Sequence, residues 1–167
     1  MSHCVLVTGA SAGAGRAIAR RFAREGFDVI LAARRAERLE ALASEIESEA
    51  GVTATPLPCD LEDAAAVRRL YQEASRIGFD VLINNAGRGD WDFIWDLDID
   101  DLEALLDLDA RAVAILSTLF ARDNKDRDAC LINVASLAGY ALYNTAIPYS
   151  AAKFFVVDDL AYCGFHK

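Results

Sequence analysis

Short apolar runs alternate with amphipathic stretches along this sequence. Five runs rich in Val, Ile, Leu and Ala predict buried strands at Cys4–Val7, Phe27–Ala33, Val52–Cys59, Phe79–Ile83 and Ala129–Val134. The apolar residues between and after them recur at helical spacing, which predicts helices from Arg16, at Ala36–Ala50, Glu62–Arg76 and Asp101–Phe120, and from Tyr149. Strands that alternate with helices through short loops predict an α/β fold, a doubly wound parallel sheet with helices on both faces.

Polar residues, glycines and prolines mark the ends of these elements. Gly51 ends the helix Ala36–Ala50. Pro56 and Pro58 place the third strand toward an edge of the sheet or leave it irregular, because proline has no N–H for the ladder. Asp60 can cap the helix that follows. The predicted core positions of these two helices are Leu39, Leu42, Ala43, Ile46, Val67, Leu70, Ala74 and Ile77.

Composition limits the compartment and the partners. The chain has 167 residues, of which 54% are apolar, so one domain with a substantial core is expected. The net charge of −9 argues against nucleic acid as a partner. No apolar run approaches the ~20 residues that span a membrane, and no secretory signal is visible. We therefore expect a cytoplasmic protein with no membrane partner.

The cysteines and histidines do not suggest a metal site. Cys4, Cys59, Cys130 and Cys163 are scattered and form no C-x-x-C pair, so buried thiols in a reducing compartment are expected. His3 and His166 lie at opposite ends of the sequence. The acidic segment between Arg88 and Asp109 has neither the order of a calcium loop nor its closing glutamate, which favours a solvated acidic surface.

A glycine-rich turn joins the first strand to the first helix. It reads Thr-Gly-Ala-Ser-Ala-Gly-Ala-Gly, with glycines at Gly9, Gly13 and Gly15 and with Ser11 and Ala12 between them. Strand, glycine turn and helix N-terminus form the Rossmann-like arrangement that brings backbone N–H groups close to a phosphate. The sequence thus predicts a single dinucleotide-binding domain; the alternative is a simple strand-to-helix turn.

Other polar residues follow the remaining predicted strands. Arg34, Asp60, Asn85 and Ser136 each stand at or near a strand's carboxyl end. Ligands of doubly wound sheets bind beyond these ends. This convergence favours one ligand site at that edge of the sheet.

Ser136, Tyr149 and Lys153 are candidate catalytic residues. Tyr149 and Lys153 are four residues apart and so share one face of a helix. A tyrosine with a pKa of about 10 exchanges protons poorly at neutral pH, and a nearby ammonium favours its ionised form. With a serine to hold a carbonyl oxygen, such a pair can reduce a ketone or oxidise an alcohol. The alternative is a solvated pair on a helix surface.

Together these motifs resemble the short-chain dehydrogenase/reductase family. They are the glycine turn Thr8–Gly15, Asn84-Asn-Ala-Gly87, Ser136 and Tyr149-Ser-Ala-Ala-Lys153, in the family's order and spacing. The resemblance implies that Tyr149 is the proton donor or acceptor. It also implies that Lys153 holds the nicotinamide ribose and that Ser136 positions the substrate oxygen. Further cofactor-binding residues implied are Asn85, Ala86, Gly87, Asp60 and Leu61.

The cofactor is expected to be NADP, with NAD the less favoured choice. In dinucleotide folds an acidic residue about 20 positions after the glycines binds the ribose 2′-hydroxyl. Here that place holds Ala33, followed by Arg34 and Arg35. A guanidinium can bind a 2′-phosphate through paired hydrogen bonds. The alternative is a solvated basic pair at a helix start.

Three departures from the family pattern stand out. Asp109 occupies the position where the family usually has a catalytic asparagine, and Ala14 replaces a larger aliphatic residue. The family normally continues well beyond Lys153 with two more strands and a substrate-covering segment. We expect either a truncated product or part of a longer protein, and a real truncation would leave one sheet edge open.

These observations predict an NADP-dependent oxidoreductase that interconverts a small ketone or aldehyde and an alcohol. The alternatives are a non-catalytic nucleotide-binding or scaffold protein, and a phosphate-binding domain such as a kinase. The missing G-x-x-x-x-G-K-[ST] motif counts against the kinase. The broad apolar surface of Asp101–Phe120 and of the helix after Tyr149 predicts a homodimer or homotetramer through these two helices.

Overall fold

The computed structural model describes residues 3–89, 92–141 and 143–159. Its core is a sheet of five strands, β1 (Cys4–Thr8), β2 (Asp28–Ala33), β3 (Ala54–Pro58), β4 (Val81–Asn84) and β5 (Cys130–Asn133). All neighbouring strands are parallel, and their order in the sheet is β3-β2-β1-β4-β5. Successive strands are added on one side of β1, as β2 and β3, and then on its other side, as β4 and β5. The connections after β1 and β4 therefore diverge and leave a crevice at the carboxyl ends of these two strands.

Helices connect the strands, as the alternating pattern predicted. They are α1 (Gly13–Arg24), α2 (Ala36–Ala50), α3 (Ala64–Ile77), α4 (Ile99–Leu106), α5 (Val113–Asn124) and α6 (Ile147–Asp159). A π-helical segment, Asp107–Ala112, joins α4 to α5, and a 3-10 turn, Leu137–Gly139, precedes α6. Within the described ranges, none of these helices has the length and apolarity to cross a membrane.

The sheet is covered by helices on both faces, which confirms the predicted fold class. Alternate residues of a strand point to opposite faces, and the two apolar clusters follow this rule. One cluster packs β1 and β2 against α1 and α2 through Val5, Val7, Val29, Leu31, Leu39, Leu42 and Ile46. The other packs the opposite face against α3 and α5 through Leu6, Ile30, Leu82, Val67, Leu70 and Leu116.

The third strand lies at an edge of the sheet, as its prolines predicted. Thr53 accepts a hydrogen bond from the N–H of Val29 in β2, and the N–H of Cys59 bonds back to Ala33. The backbone N–H and C=O groups of the odd-numbered residues in this segment therefore point toward β2. The backbone groups of Pro56 and Pro58 point away from it. The N–H of Ala54, on the same outer side, donates to the Glu47 carboxylate at 3.2 Å.

Two sequence predictions about α3 were wrong. Asp63, not Asp60, caps the helix, and its carboxylate accepts the N–H of Ala65 at 2.8 Å. Asp60 lies one turn earlier and accepts the N–H of Glu62 instead. Ile77, assigned to the core, is exposed at the last helical position, and Tyr71 is buried in its place.

The predicted long helix Asp101–Phe120 is extended at both ends and interrupted. It begins at Ile99, runs through the π-helical segment and ends at Asn124. A π-helical turn holds one more residue than an α-helical turn, so it rotates the following residues about the axis. Leu116, one of the apolar residues of the predicted helix Asp101–Phe120, is 1% exposed and packs in the core. The surface that we predicted for self-association is therefore smaller than expected.

The cysteine prediction holds for two of the four residues. Cys4 and Cys59 are buried, whereas Cys130 is exposed on β5 because its strand position faces solvent. Cys163 and His166 lie outside the described residues, as does Asp90 of the acidic segment. In the described part of the chain, no cluster of His, Cys, Asp and Glu could hold a metal ion.

Candidate active site

The glycine turn after β1 is packed so closely that side chains are excluded. Gly9 has a positive φ of 69°, and a Cβ there would lie 2.8 Å from the Asn85 amide nitrogen. A Cβ on Gly15 would strike the Gly9 carbonyl and lie 2.5 Å from the same nitrogen. Gly13 also has positive φ, 55°, but faces open space. Gly9 and Gly15 thus allow the turn to pack closely against the backbone and Asn85. Gly13 leaves open space in front of the start of the helix.

Thr8 ties this turn to the end of β4, a role that the sequence analysis missed. Its hydroxyl donates to the Ile83 carbonyl at 3.3 Å and accepts the N–H groups of Asn85 and Ala86 at 2.9 and 3.1 Å. The Asn85 side chain donates to the Thr8 carbonyl at 3.0 Å. The only sequence signal was a buried threonine at a strand end. These bonds fix the two turns that border the crevice.

A cleft of about 750 Å³ lies beyond the carboxyl ends of the strands. Eleven of its lining residues were candidate cofactor-binding residues: Gly9, Ser11, Ala12, Gly13, Arg34, Arg35, Asp60, Leu61, Asn85, Ala86 and Gly87. Gly15 lies buried behind the turn. The cleft also contains Cys59, Glu62 and Leu108, which the sequence did not assign to the cofactor site. The structure therefore brings residues from four strand ends to one site.

One end of the cleft carries two arginines. The Arg35 guanidinium donates to the Ser11 hydroxyl at 2.9 Å, which holds it beside the glycine turn. The Arg34 guanidinium bonds to the Glu62 carboxylate at 3.2 Å. A helix N-terminus, a glycine cradle and two guanidiniums fit a dinucleotide that carries an extra phosphate.

The other end of the cleft borders a buried ion pair. Asp109 is 0% exposed and Lys153 is 4% exposed, and their Oδ1 and Nζ atoms are 3.6 Å apart. The Asp109 carboxylate also accepts the backbone N–H of Arg88 at 3.1 Å. A Cβ on Gly87 would strike Asp109 and lie 3.0 Å from the Lys153 Nζ. Gly87 thus lets the turn after β4 reach this pair.

Tyr149 and Lys153 share one face of α6, as their spacing predicted. The Lys153 Nζ lies 5.7 Å from the centroid of the Tyr149 ring. The Tyr149 side chain is partly exposed, whereas the ammonium lies beneath the surface. A proton can therefore reach the phenol from outside while the charge beside it stays shielded.

Ser136 precedes the 3-10 turn that packs on α6. Its hydroxyl oxygen accepts the N–H of Ala138 at 3.2 Å, which orients the side chain at the start of this turn. A Cβ on Gly139 would lie 2.7 Å from the Lys153 carbonyl, so the turn contacts the helix directly. The loop after β5 thus carries Ser136, α6 carries Tyr149 and Lys153, and the π-helical segment carries Asp109.

Comparison with known proteins decides the family. The family model described as short chain dehydrogenase matches residues 3–160. The chain belongs to this family. It is 35% identical to the sulfoacetaldehyde reductase of Chromohalobacter salexigens, an alignment that covers 93% of this chain and 63% of that enzyme. It therefore spans less than two thirds of this curated relative's length.

Solved structures of the dehydrogenase family agree with this fold. A short-chain dehydrogenase from Sphingobium yanoikuyae in complex with NADPH has a TM-score of 0.88 and 33% identity, over 93% of this chain and 62% of that one. A metagenomic short-chain oxidoreductase in complex with NADP has a TM-score of 0.87 and 32% identity, over 95% and 73% of the two chains. Both are similar along nearly all of this chain.

Proposed function

We propose that this chain is the cofactor-binding and proton-transferring part of an NADP(H)-dependent oxidoreductase. Its reaction interconverts a small ketone or aldehyde and an alcohol. The observation that carries the proposal is the position of the Lys153–Asp109 pair. It lies against Gly87 at one end of the cleft, with the Tyr149 ring next to it. A proton donor therefore stands at the end of a dinucleotide cleft.

The choice of NADP(H) rests on the two arginines at the far end. Arg34 and Arg35 line the cleft where an NAD-binding site would carry a carboxylate. Ser11 holds Arg35 in place, and two basic side chains fit the charge of a 2′-phosphate. The NADPH- and NADP-bound relatives support the same choice.

The chemistry of the site is divided among its residues. The bound dinucleotide supplies hydride transfer. The Tyr149 hydroxyl gives a proton to the forming alkoxide, or takes one from an alcohol in the reverse direction. The Ser136 hydroxyl holds the substrate oxygen, and the Lys153 ammonium holds a ribose hydroxyl next to the Tyr149 ring. Asp109 keeps the ammonium in place.

The small carbonyl substrate is supported by the relatives' names, which include a sulfoacetaldehyde reductase. A cytoplasmic location is supported by the buried thiols of Cys4 and Cys59, which a reducing compartment preserves. A homodimer or homotetramer is supported by the apolar residues left exposed on α4 and α6, namely Leu106, Phe154 and Phe155.

The experiment separates binding from turnover. NADPH fluorescence is titrated with the purified chain, and turnover is then measured with a panel of ketones and aldehydes. Binding with turnover that Tyr149→Phe abolishes supports the proposal. Binding without any turnover supports the alternative, a non-catalytic nucleotide-binding protein. If no dinucleotide binds, both functions are wrong.

A further inference from the structure

The carboxylate of Glu62 occupies part of the basic end of the cleft. Its Oε1 atom lies 3.2 Å from an Arg34 guanidinium nitrogen, and both residues line the cleft. No pattern in the sequence joined them, because they are 28 positions apart and on different connections. A negative charge thus sits beside one of the two arginines assigned to the 2′-phosphate.

Glu62 is the less exposed partner of this pair, and two hydrogen bonds hold its backbone. Its N–H donates to the Asp60 carboxylate at 3.1 Å, and its carbonyl accepts a bond from Arg111 at 2.6 Å. Its side chain is 23% exposed, whereas that of Arg34 is 61% exposed. Arg34 can therefore turn toward a ligand more easily than Glu62 can withdraw.

We propose that Glu62 is a specificity-determining residue that competes with the 2′-phosphate of NADP(H) for Arg34. This inference rests on the proposed NADP(H) function. When the phosphorylated cofactor binds, the Arg34 guanidinium has to leave the Glu62 carboxylate. Otherwise the carboxylate and the phosphate, which are both negative, have to share the same guanidinium. When NAD(H) binds, no phosphate arrives and the Arg34–Glu62 pair persists. Glu62 therefore reduces the preference for NADP(H) over NAD(H).

The solvent exposure of the Arg34–Glu62 pair determines how strongly it affects the affinity for NADP(H). Partly exposed ion pairs contribute little free energy and are screened by salt. The cost of breaking this pair therefore corresponds to a severalfold change in affinity rather than to a loss of binding. Arg35, which Ser11 holds beside the glycine turn, remains available to the phosphate, so NADP(H) remains the better ligand.

The test replaces the carboxylate by an amide of the same shape. Dissociation constants are measured for NADPH, NADH, 2′,5′-ADP and 5′-AMP with the parent chain and with Glu62→Gln. We expect Glu62→Gln to bind NADPH and 2′,5′-ADP about three- to fivefold more tightly, and NADH and 5′-AMP within about twofold of the parent. The gain for the phosphorylated ligands should shrink at high salt.

Matched controls distinguish competition from a general change of charge. Glu37→Gln removes one charge from the exposed first turn of α2, and Glu37 does not line the cleft in the described part of the chain. It should leave the ratio of NADPH to NADH affinity unchanged. In an Arg34→Ala background, Glu62→Gln should lose its effect. Glu62→Asp, which draws the carboxylate back by one methylene, should give an intermediate ratio and serves if the amide variant does not fold.

The outcomes keep this inference separate from the proposed function. An unchanged affinity ratio in Glu62→Gln overturns the inference. An equal gain for NADH, or a full effect that persists without Arg34, overturns it as well. If the parent chain binds neither NADPH nor 2′,5′-ADP, the proposed function itself is wrong and the inference is wrong with it.

Discussion

The carboxylate of Asp109 and the ammonium of Lys153 lie 3.6 Å apart in a region with almost no solvent exposure. The family resemblance leads one to expect a neutral amide at position 109. The aspartate instead gives the buried ammonium an opposite charge, and the N–H of Arg88 satisfies part of the carboxylate. Breaking a buried pair by removing one partner leaves the other charge uncompensated.

Asp109→Ala should therefore destabilise the fold strongly. We expect the free energy of unfolding to fall by about 3 kcal/mol, because Lys153 is left as a buried charge. Chemical denaturation measures the change. Asp109→Asn should cost less, since the amide still accepts the Arg88 N–H. The double variant Asp109→Ala/Lys153→Met should recover part of the loss; no recovery would show that the ion pair is not the cause.

Tyr149→Phe should abolish turnover and leave cofactor binding nearly intact. It removes the hydroxyl that exchanges the proton but little volume, so kcat should fall by about 100-fold or more. Lys153→Ala should weaken both turnover and NADPH binding, because in the proposed site the ammonium holds the ribose and lies next to the Tyr149 ring. Steady-state kinetics and fluorescence titration measure the two effects. A Tyr149→Phe variant that keeps most of the parent's rate would refute the proposed role.

Self-association should depend on the exposed face of α6. Phe154 is 64% exposed in the single chain, and Phe155 beside it is also exposed. Phe154→Glu should give a folded monomer, because a charge in the contact disfavours pairing but disturbs no core packing. Light scattering measures the oligomeric state of the variant, and circular dichroism shows whether it is folded. Leu116→Glu is the contrasting control and should unfold the chain, since Leu116 belongs to the core. A monomeric parent chain would refute the interface.

Because Asp63 caps α3, the stability of the fold should decrease at acidic pH. The Asp63 carboxylate accepts the N–H of Ala65, which holds its pKa below the ordinary value of 3.8. Its contribution to stability is therefore complete well above 3.8 and is lost as the pH falls through the lower folded value. Asp63→Ala should lower the Tm near neutral pH, and its difference from the parent should shrink in acid. Asp63→Asn, which keeps a capping oxygen, should stay near the parent at neutral pH.

Cys59 should resist alkylation although it lines the cleft. Burial, together with the charge of Asp60, raises the pKa of its thiol to about 11. Almost no thiolate is present near neutral pH, and the thiolate is the reactive form. Iodoacetamide treatment followed by peptide mapping should modify the exposed Cys130 first and Cys59 only after unfolding. Equal rates for Cys59 in the native and unfolded chain would contradict this account.

The sequence predicted best what depends on local spacing. The bounds of α2 match the prediction residue for residue, because its apolar positions repeat cleanly and Gly51 ends it with a φ of 67°. The glycine turn and eleven residues of the cleft were predicted, because parallel strands bring their carboxyl ends to one edge and because the motifs there resemble a known family. Asp63 was missed as the cap because Asp60 precedes the same helix and offers the same carboxylate.

What the sequence could not predict depends on contacts across the fold. The π-helical segment holds one extra residue in a turn and leaves no mark in composition, yet it changes the register between α4 and α5. Glu62 meets Arg34 only because β2 and β3 are neighbours in the sheet. The spacing of Tyr149 and Lys153 gave their common face, but not the burial of Lys153 against Asp109.

The outer side of β3 has a consequence for how this sheet can grow. A strand that is added to a sheet uses both the N–H donors and the carbonyl acceptors of the edge strand. Pro56 and Pro58 have no N–H to donate, and the N–H of Ala54 is already used by Glu47. Along Ala54–Pro58 this side therefore offers a new strand carbonyl acceptors but no available donor. A strand that joins the five described here, from the same polypeptide or from another molecule, is favoured beside β5.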